Sequence, residues 1–171
     1  MKTSISKIIF ILLCFCLVKT NVVAQGKFAG ALKSLIGQKY TRASSELKLL
    51  KGYKFFQGDV ISEMNDPDQT MVEIYTKGST TIVFFSTMMQ GDSFYQVYDV
   101  LEVKDVTKGW EIKTSTCRDN TNPNIEIVAL VKSTATEFTK TVKRAWRYNR
   151  DKIRIEKIST KGIDCINGAL E

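Results

Sequence analysis

The chain predicts an α+β domain in which a short N-terminal helix packs on a strongly curved antiparallel sheet of about six to eight strands. Three observations carry this. Helical spacing is confined to one early segment, and from residue 49 onward short runs rich in Val, Ile, Thr, Phe and Tyr alternate with turn residues. No helical pattern of about 10 to 15 residues separates those runs, so parallel crossovers are not expected. A small barrel with a helix lid is the alternative, because closure would remove the edges of so many strands.

The helix rests on Phe28, Ala31, Leu32, Leu35 and Ile36, whose spacing puts them on one helical face, with Gly37 as the stop. Strands are expected over 49–56, 71–76, 80–87, 94–103, 110–117, 124–132, 138–148 and 152–158. Asn65-Asp66-Pro67-Asp68, Lys77-Gly78-Ser79, Gln90-Gly91-Asp92-Ser93, Lys108-Gly109 and Asn120-Thr121-Asn122-Pro123 punctuate them. Ile82-Val83-Phe84-Phe85 is apolar on both parities, which marks a central strand covered on both faces. The N-terminal helix is the expected cover for one of them.

Residues 1–24 read as a cleavable signal peptide. Lys2 and Lys7 precede an apolar run over 8–18, and Val22-Val23-Ala24 offers a cleavage site before Gln25. Lys19 ends the run well short of the roughly 20 residues that a membrane-spanning helix needs. Residues 25–171 then form a single domain, exported to the periplasm or secreted and not membrane-spanning. Lys2, Lys7 and Lys19 leave with the leader and no acid does, so the net charge falls from +7 to +4. Cys14 and Cys16 leave too. The remaining pair, Cys117 and Cys165, is expected to form a disulfide in an oxidising compartment, with Cys165 in a tail after the last strand.

The leader's Val-Val-Ala-Gln ending, Lys108-Gly109-Trp110-Glu111-Ile112, Ile127-Val128-Ala129-Leu130-Val131-Lys132, Ala145-Trp146-Arg147 and Lys161-Gly162-Ile163-Asp164-Cys165 resemble small exported proteins of Bacteroidota. The resemblance implies a periplasmic or secreted location and assigns no residue roles.

The sequence contains no histidine, which removes Ser-His-Asp and Cys-His catalysis and histidine metal sites. Catalysis would have to use carboxylates, and the acidic groups are Asp99, Glu102 and Asp105 together with Glu63, Asp66 and Asp68. Strand alternation and turn chemistry account for both groups. No calcium-loop, phosphate-loop or nucleotide fingerprint is present, so neither metal nor cofactor is expected.

Charge placement is more informative. Residues 137–161 hold nine basic and three acidic side chains, a local excess of +6. If Phe138, Val142, Trp146, Tyr148, Ile153 and Ile155 face the core, then Lys143, Arg147, Lys152 and Arg154 form a basic ridge. Lys140 and Arg144 fall on the inward parity, which calls for a bulge or an edge there, or for stems lying along apolar surface with the charged ends reaching water. Such a ridge suits an anionic polysaccharide, lipid headgroups or an acidic protein, or it deters edge-to-edge pairing. Nucleic acid is not expected as a partner. Phe84, Phe85, Phe94, Tyr95 and Tyr98 could alternatively line an apolar pocket beneath the helix. The function expected is that of a non-catalytic binding or interaction module of the cell envelope, with a small carboxylate hydrolase and an inhibitor-like protein as alternatives.

Overall fold

The computed structural model describes residues 32–41 and 43–167. Residues 1–24, expected as a leader, and Phe28 and Ala31 lie outside these. Thirteen strands, all in antiparallel pairs, form three sheets among the described residues. They are β1 (Lys39–Tyr40), β2 (Lys54–Val60), β3 (Gln69–Lys77), β4 (Thr80–Met88), β5 (Tyr95–Val103), β6 (Trp110–Thr114), β7 (Cys117–Asp119), β8 (Asn122–Pro123), β9 (Ile127–Lys132), β10 (Phe138–Thr139), β11 (Val142–Asn149), β12 (Arg154–Ile158) and β13 (Ile163–Ile166). The first sheet has the order β1-β5-β4-β3-β2, the second β12-β11-β9-β6, and the third β10-β13-β7-β8.

This corrects the α+β expectation: the chain is nearly all β, and no helix packs on a sheet among the described residues. The helical face is instead a 3-10 turn, Leu32–Leu35, followed by two more at Ser44–Glu46 and Lys48–Leu50. Spacing of i, i+3 suits both helix types, because a 3-10 helix repeats every three residues. The fourth position separates them. Ile36, which an α-helix would bury beside Leu32, is 44 % exposed, while Leu35 is fully buried. Gly37 takes a positive φ and donates its N–H to the Val97 carbonyl, so the chain joins β5 as strand β1 instead of extending a helix.

The layers follow from burial on alternate faces. Leu32, Leu35, Tyr40, Leu47 and Leu50 cover Tyr75, Ile82, Phe84, Val97 and Val100 on one face of the first sheet. Val72, Ile74, Val83, Phe85, Leu101 and Val103 on its other face meet Ile112, Val128, Leu130, Trp146 and Tyr148 of the second sheet. The back of the second sheet, at Ile127, Ala129, Val131 and Ala145, packs on Cys117, Ile163 and Cys165. The central strand over 82–85 is therefore buried on both sides, by 3-10 turns and by a second sheet. The barrel alternative is replaced by stacked sheets, whose two open seams are joined by side chains. At one, Asp59 accepts from Thr114 Oγ1; at the other, Asp99 accepts the Ile155 N–H.

Two expected strands are broken, the one expected over 49–56 begins only at Lys54 because Lys48–Leu50 form a 3-10 turn, and β1, β8 and β13 lie outside the expected runs. The run over 110–117 is interrupted at Ser115, whose φ is +60°. The run over 138–148 divides into β10 and β11, with a register shift between Val142 and Arg144, so of the alternatives offered for the inward parity of Arg144 a bulge is present. Cys165 lies in strand β13, not in a tail, directly opposite Cys117, and the two form a disulfide. Arg118 on β7 pairs through two hydrogen bonds with Asp164 on β13 at 2.7 and 2.8 Å, and its guanidinium lies 3.5 Å from the Phe138 ring centre.

One buried polar group ties the N-terminal layer to the first sheet. The Glu73 carboxyl, facing that layer from β3, accepts Tyr40 Oη–H and Ser44 Oγ–H, each at 2.6 Å. Tyr40 Oη also meets Ser86 Oγ, and Ser44 Oγ meets Tyr75 Oη. Burial, reinforced by Glu73, pushes the Tyr40 phenol well above its ordinary value. Each buried oxygen therefore has a partner, as a low-dielectric interior demands. Tyr40→Phe is expected to lower the unfolding free energy by roughly 1–3 kcal/mol in urea denaturation; an unchanged midpoint would refute the tie. Replacing both Cys117 and Cys165 by Ser should cost about 4 kcal/mol for a cross-link spanning 48 positions, read in the same assay.

Candidate functional site

The core between the first and second sheets ends in an open cleft of roughly 200 Å³. Its lining includes Thr70, Thr87 and Tyr148, which all belong to the inward faces of their strands. Thr70 Oγ1 and Thr87 Oγ1 lie 3.1 Å apart, and Thr87 in turn hydrogen-bonds the Tyr148 phenol. The Tyr148 ring stacks on Phe85 with centroids 4.4 Å apart. Burial raises the Tyr148 pKa, so its hydroxyl remains protonated. The result is a row of three hydroxyls set on an apolar base.

Two loops and a bulge wall this floor. Asp66, Pro67 and Asp68 come from the β2–β3 connection, and Arg150 and Ile153 from the β11–β12 turn. Pro67 presets the backbone of the first loop, while Asp66 Oδ2 accepts the Glu63 N–H at 2.8 Å and the Asp66 N–H donates back to the Glu63 carbonyl. Asp68 Oδ1 accepts the Gln90 N–H at 2.9 Å, linking that loop to the end of β4. In β5 the register with β4 shifts between Phe85 and Ser86, which face Asp99 and Val97, so Tyr98 is the extra residue. A bulge of this kind redirects side chains. Tyr98 lines the cleft, while Asp99 goes to the seam, where it accepts the Val100 and Ile155 N–H groups.

Arg150 fastens the cleft. Its Nη1 lies 2.7 Å from Asp66 Oδ2, its Nε lies 2.7 Å from Glu126 Oε1, and its Nη2 bonds the Ile61 carbonyl. One side chain thus joins the second sheet's hairpin to the loop after β2. The charge count included Arg150, but no periodicity singles it out, because all three partners are distant in sequence. Ile153, expected in the core, sits exposed in the turn at φ +50°, since a four-residue connection displaces it from the strand.

The four ridge cations are placed as follows. Register puts Arg147 opposite Glu156 and Asn149 opposite Arg154, so Arg147 and Arg154 share one face of the second sheet. Arg147 Nη2 pairs with Asp119 Oδ2 at 2.8 Å. Lys152 and Arg154 both converge on Glu156 Oε1, at 3.1 and 2.6 Å. The Arg154, Lys152 and Asn149 hydrogen bonds hold the Glu156 carboxyl down to about 2. Lys143 stands apart, with its ammonium 5.3 Å from the Trp110 ring centre. One carboxylate thus serves two cations on the β11–β12 hairpin, and neither cation lines the cleft.

Among the carboxyls of the cleft, Asp66 is held below the usual range, first by the Glu63 N–H and then by Arg150. It is an acceptor, not an acid. Asp99 is raised by burial but does not line the cleft. Among the described residues no group of His, Cys, Asp and Glu is placed to hold a metal ion, and no helix is long and apolar enough to cross a membrane. Of the aromatic residues proposed for a pocket, Phe84 and Phe85 are core, and Tyr98 alone lines this cleft.

The two influences on Asp66 can be separated by NMR titration of its side-chain carbon. The wild-type midpoint is expected below 3.8, because the charged form is the one bonded. Arg150→Gln should raise it only in part, since the Glu63 N–H remains. A full return to 3.8 in that variant would reverse the order of the two causes.

Compared with models of known protein families, with functionally described proteins and with solved structures, the chain matches none.

Proposed function

We propose that this is an exported, non-catalytic binding module of the cell envelope that takes an anionic polysaccharide at the cleft and the adjoining β11–β12 hairpin. The observation that carries this is the position of the β11–β12 turn: the tip of the most basic segment of the chain is also a wall of the cleft. A sugar suits the inside, where hydroxyls can donate to Asp66 and Asp68, bond the Thr70–Thr87–Tyr148 row and lay an apolar ring face on Tyr98. Its sulfate or carboxylate groups would be repelled by the aspartates and drawn outward to Lys152 and Arg154. The disulfide fits an oxidising compartment outside the cytoplasm. Hydrolysis is the weaker reading, because the cleft carboxyl whose ionisation is shifted is held as the carboxylate, whereas a glycosidase needs an acid retained near neutral pH.

Heparin oligosaccharide is a suitable probe. Calorimetry should show salt-sensitive binding of heparin oligosaccharide and none of neutral dextran. Lys152→Gln with Arg154→Gln should weaken it about tenfold. Tyr98→Ala should weaken it with the salt dependence unchanged. Equal affinities for wild type and both variants would overturn the proposal, as would binding to polyglutamate or anionic vesicles with none to heparin.

A further inference from the structure

Strand β2 is an edge of the first sheet, and along its seven residues no backbone hydrogen bond leaves its outer side among the described residues. Such an edge templates the addition of another strand. The other edge of the same sheet, β1, is only two residues long, and edge strand β12 of the second sheet presents Arg154 and Lys157. By contrast, Phe55, Phe56 and Val60 of β2 are 57, 59 and 49 % exposed, and Met64 just beyond is fully exposed. Four of the large apolar side chains that reach solvent are therefore gathered within ten residues, a concentration that marks an interaction surface.

The sequence of this edge complements itself. β2 has a bulge at Phe56, since Phe55 faces Tyr75 and Gln57 faces Ile74 on β3. The bulge places Lys54, opposite Thr76, and Asp59, opposite Val72, on the same face of the sheet. Two β2 strands placed antiparallel about a two-fold axis between Phe56 and Gln57 bring Lys54 of each copy opposite Asp59 of the other. Phe55 then lies opposite Gly58. Lys54 has no ion pair among the described residues, and Asp59 uses Oδ2 for Gln57 and Thr114, leaving Oδ1 to receive it. A Cβ at Gly58 would come 3.2 Å from the Phe55 ring of its own chain, so that ring would have to shift.

We infer that the protein forms a two-fold homodimer by antiparallel pairing of β2 with β2 of a second copy, in the register set by the two Lys54–Asp59 contacts. The pairing closes the exposed edge and covers Phe55 and Phe56. It uses no residue that lines the cleft, so it stands independently of the ligand proposed above, and it would present two clefts to one repeating chain.

Analytical ultracentrifugation of the protein over a concentration series tests this. Wild type should dimerise. Lys54→Glu and Asp59→Lys alone should each weaken self-association about tenfold, because like charges then meet twice. An equimolar mixture of the two single variants should dimerise again as a heterodimer with both charge pairs restored, which a misfolded variant could not do. A wild type that stays monomeric at every concentration overturns the proposal. So does a mixture that associates no better than either variant alone, or a dimer indifferent to both substitutions.

Discussion

Burial of β4 on both of its faces is the constraint from which the rest of the architecture follows. Ile82 and Phe84 point one way, Val83 and Phe85 the other, and none is more than 1 % exposed. Two layers must therefore cover the first sheet. The chain supplies one from its N-terminal turns and the other from the second sheet. That sheet in turn is apolar on both faces of β9, where Val128 and Leu130 face the first sheet and Ile127, Ala129 and Val131 face away. A third layer is needed for the same reason. It is small, with strands of two to four residues, and the disulfide and the Arg118–Asp164 pair supply the cohesion that so little apolar area cannot.

Stacking sheets leaves edges and seams, and polar side chains manage them. Asp59 and Asp99 each bridge the first sheet to the second at opposite margins, and Arg150 bridges them at the end. Glu73 does the equivalent work under the N-terminal layer. Of these, only Asp99 belongs to the acidic groups that the sequence offers for catalysis. The cleft exists because the main core stops at Tyr148 and Thr87 while the loops around it, held by Arg150 and Asp66, continue past that floor.

How much of this could be read from residues varies with the range of the interaction involved. The strand runs, the doubly covered β4 and the bulge near Lys143 were legible, because alternation and parity are local properties. The N-terminal helix was misassigned because Leu32 and Leu35 satisfy α and 3-10 spacing alike, and only the docking of Gly37 and Lys39–Tyr40 on β5 chooses between them. β13 was missed since Ile163–Ile166 is four residues long, holds an aspartate and follows a glycine, and becomes a strand only by pairing with β7 and β10. The basic segment was found as charge. Its division into Arg147 with Asp119, Lys152 and Arg154 with Glu156, and Arg150 with Asp66 and Glu126 depends on partners that approach only in the fold.

The amino-acid sequence by itself determined the strand-rich character, the burial of 82–85, the pairing expected of Cys117 with Cys165 and the local excess of positive charge. Each is a property of composition or of periods two and three along the chain. Tertiary structure alone decided that there are three sheets and not one, that the cleft lies where Tyr98, Tyr148, Arg150 and Asp66 converge, and that β2 keeps an open edge. These outcomes depend on which surfaces meet, and contact between residues separated by 50 or 80 positions leaves no trace in local pattern. It is set by the requirement that every apolar face find a cover and every buried polar atom a partner.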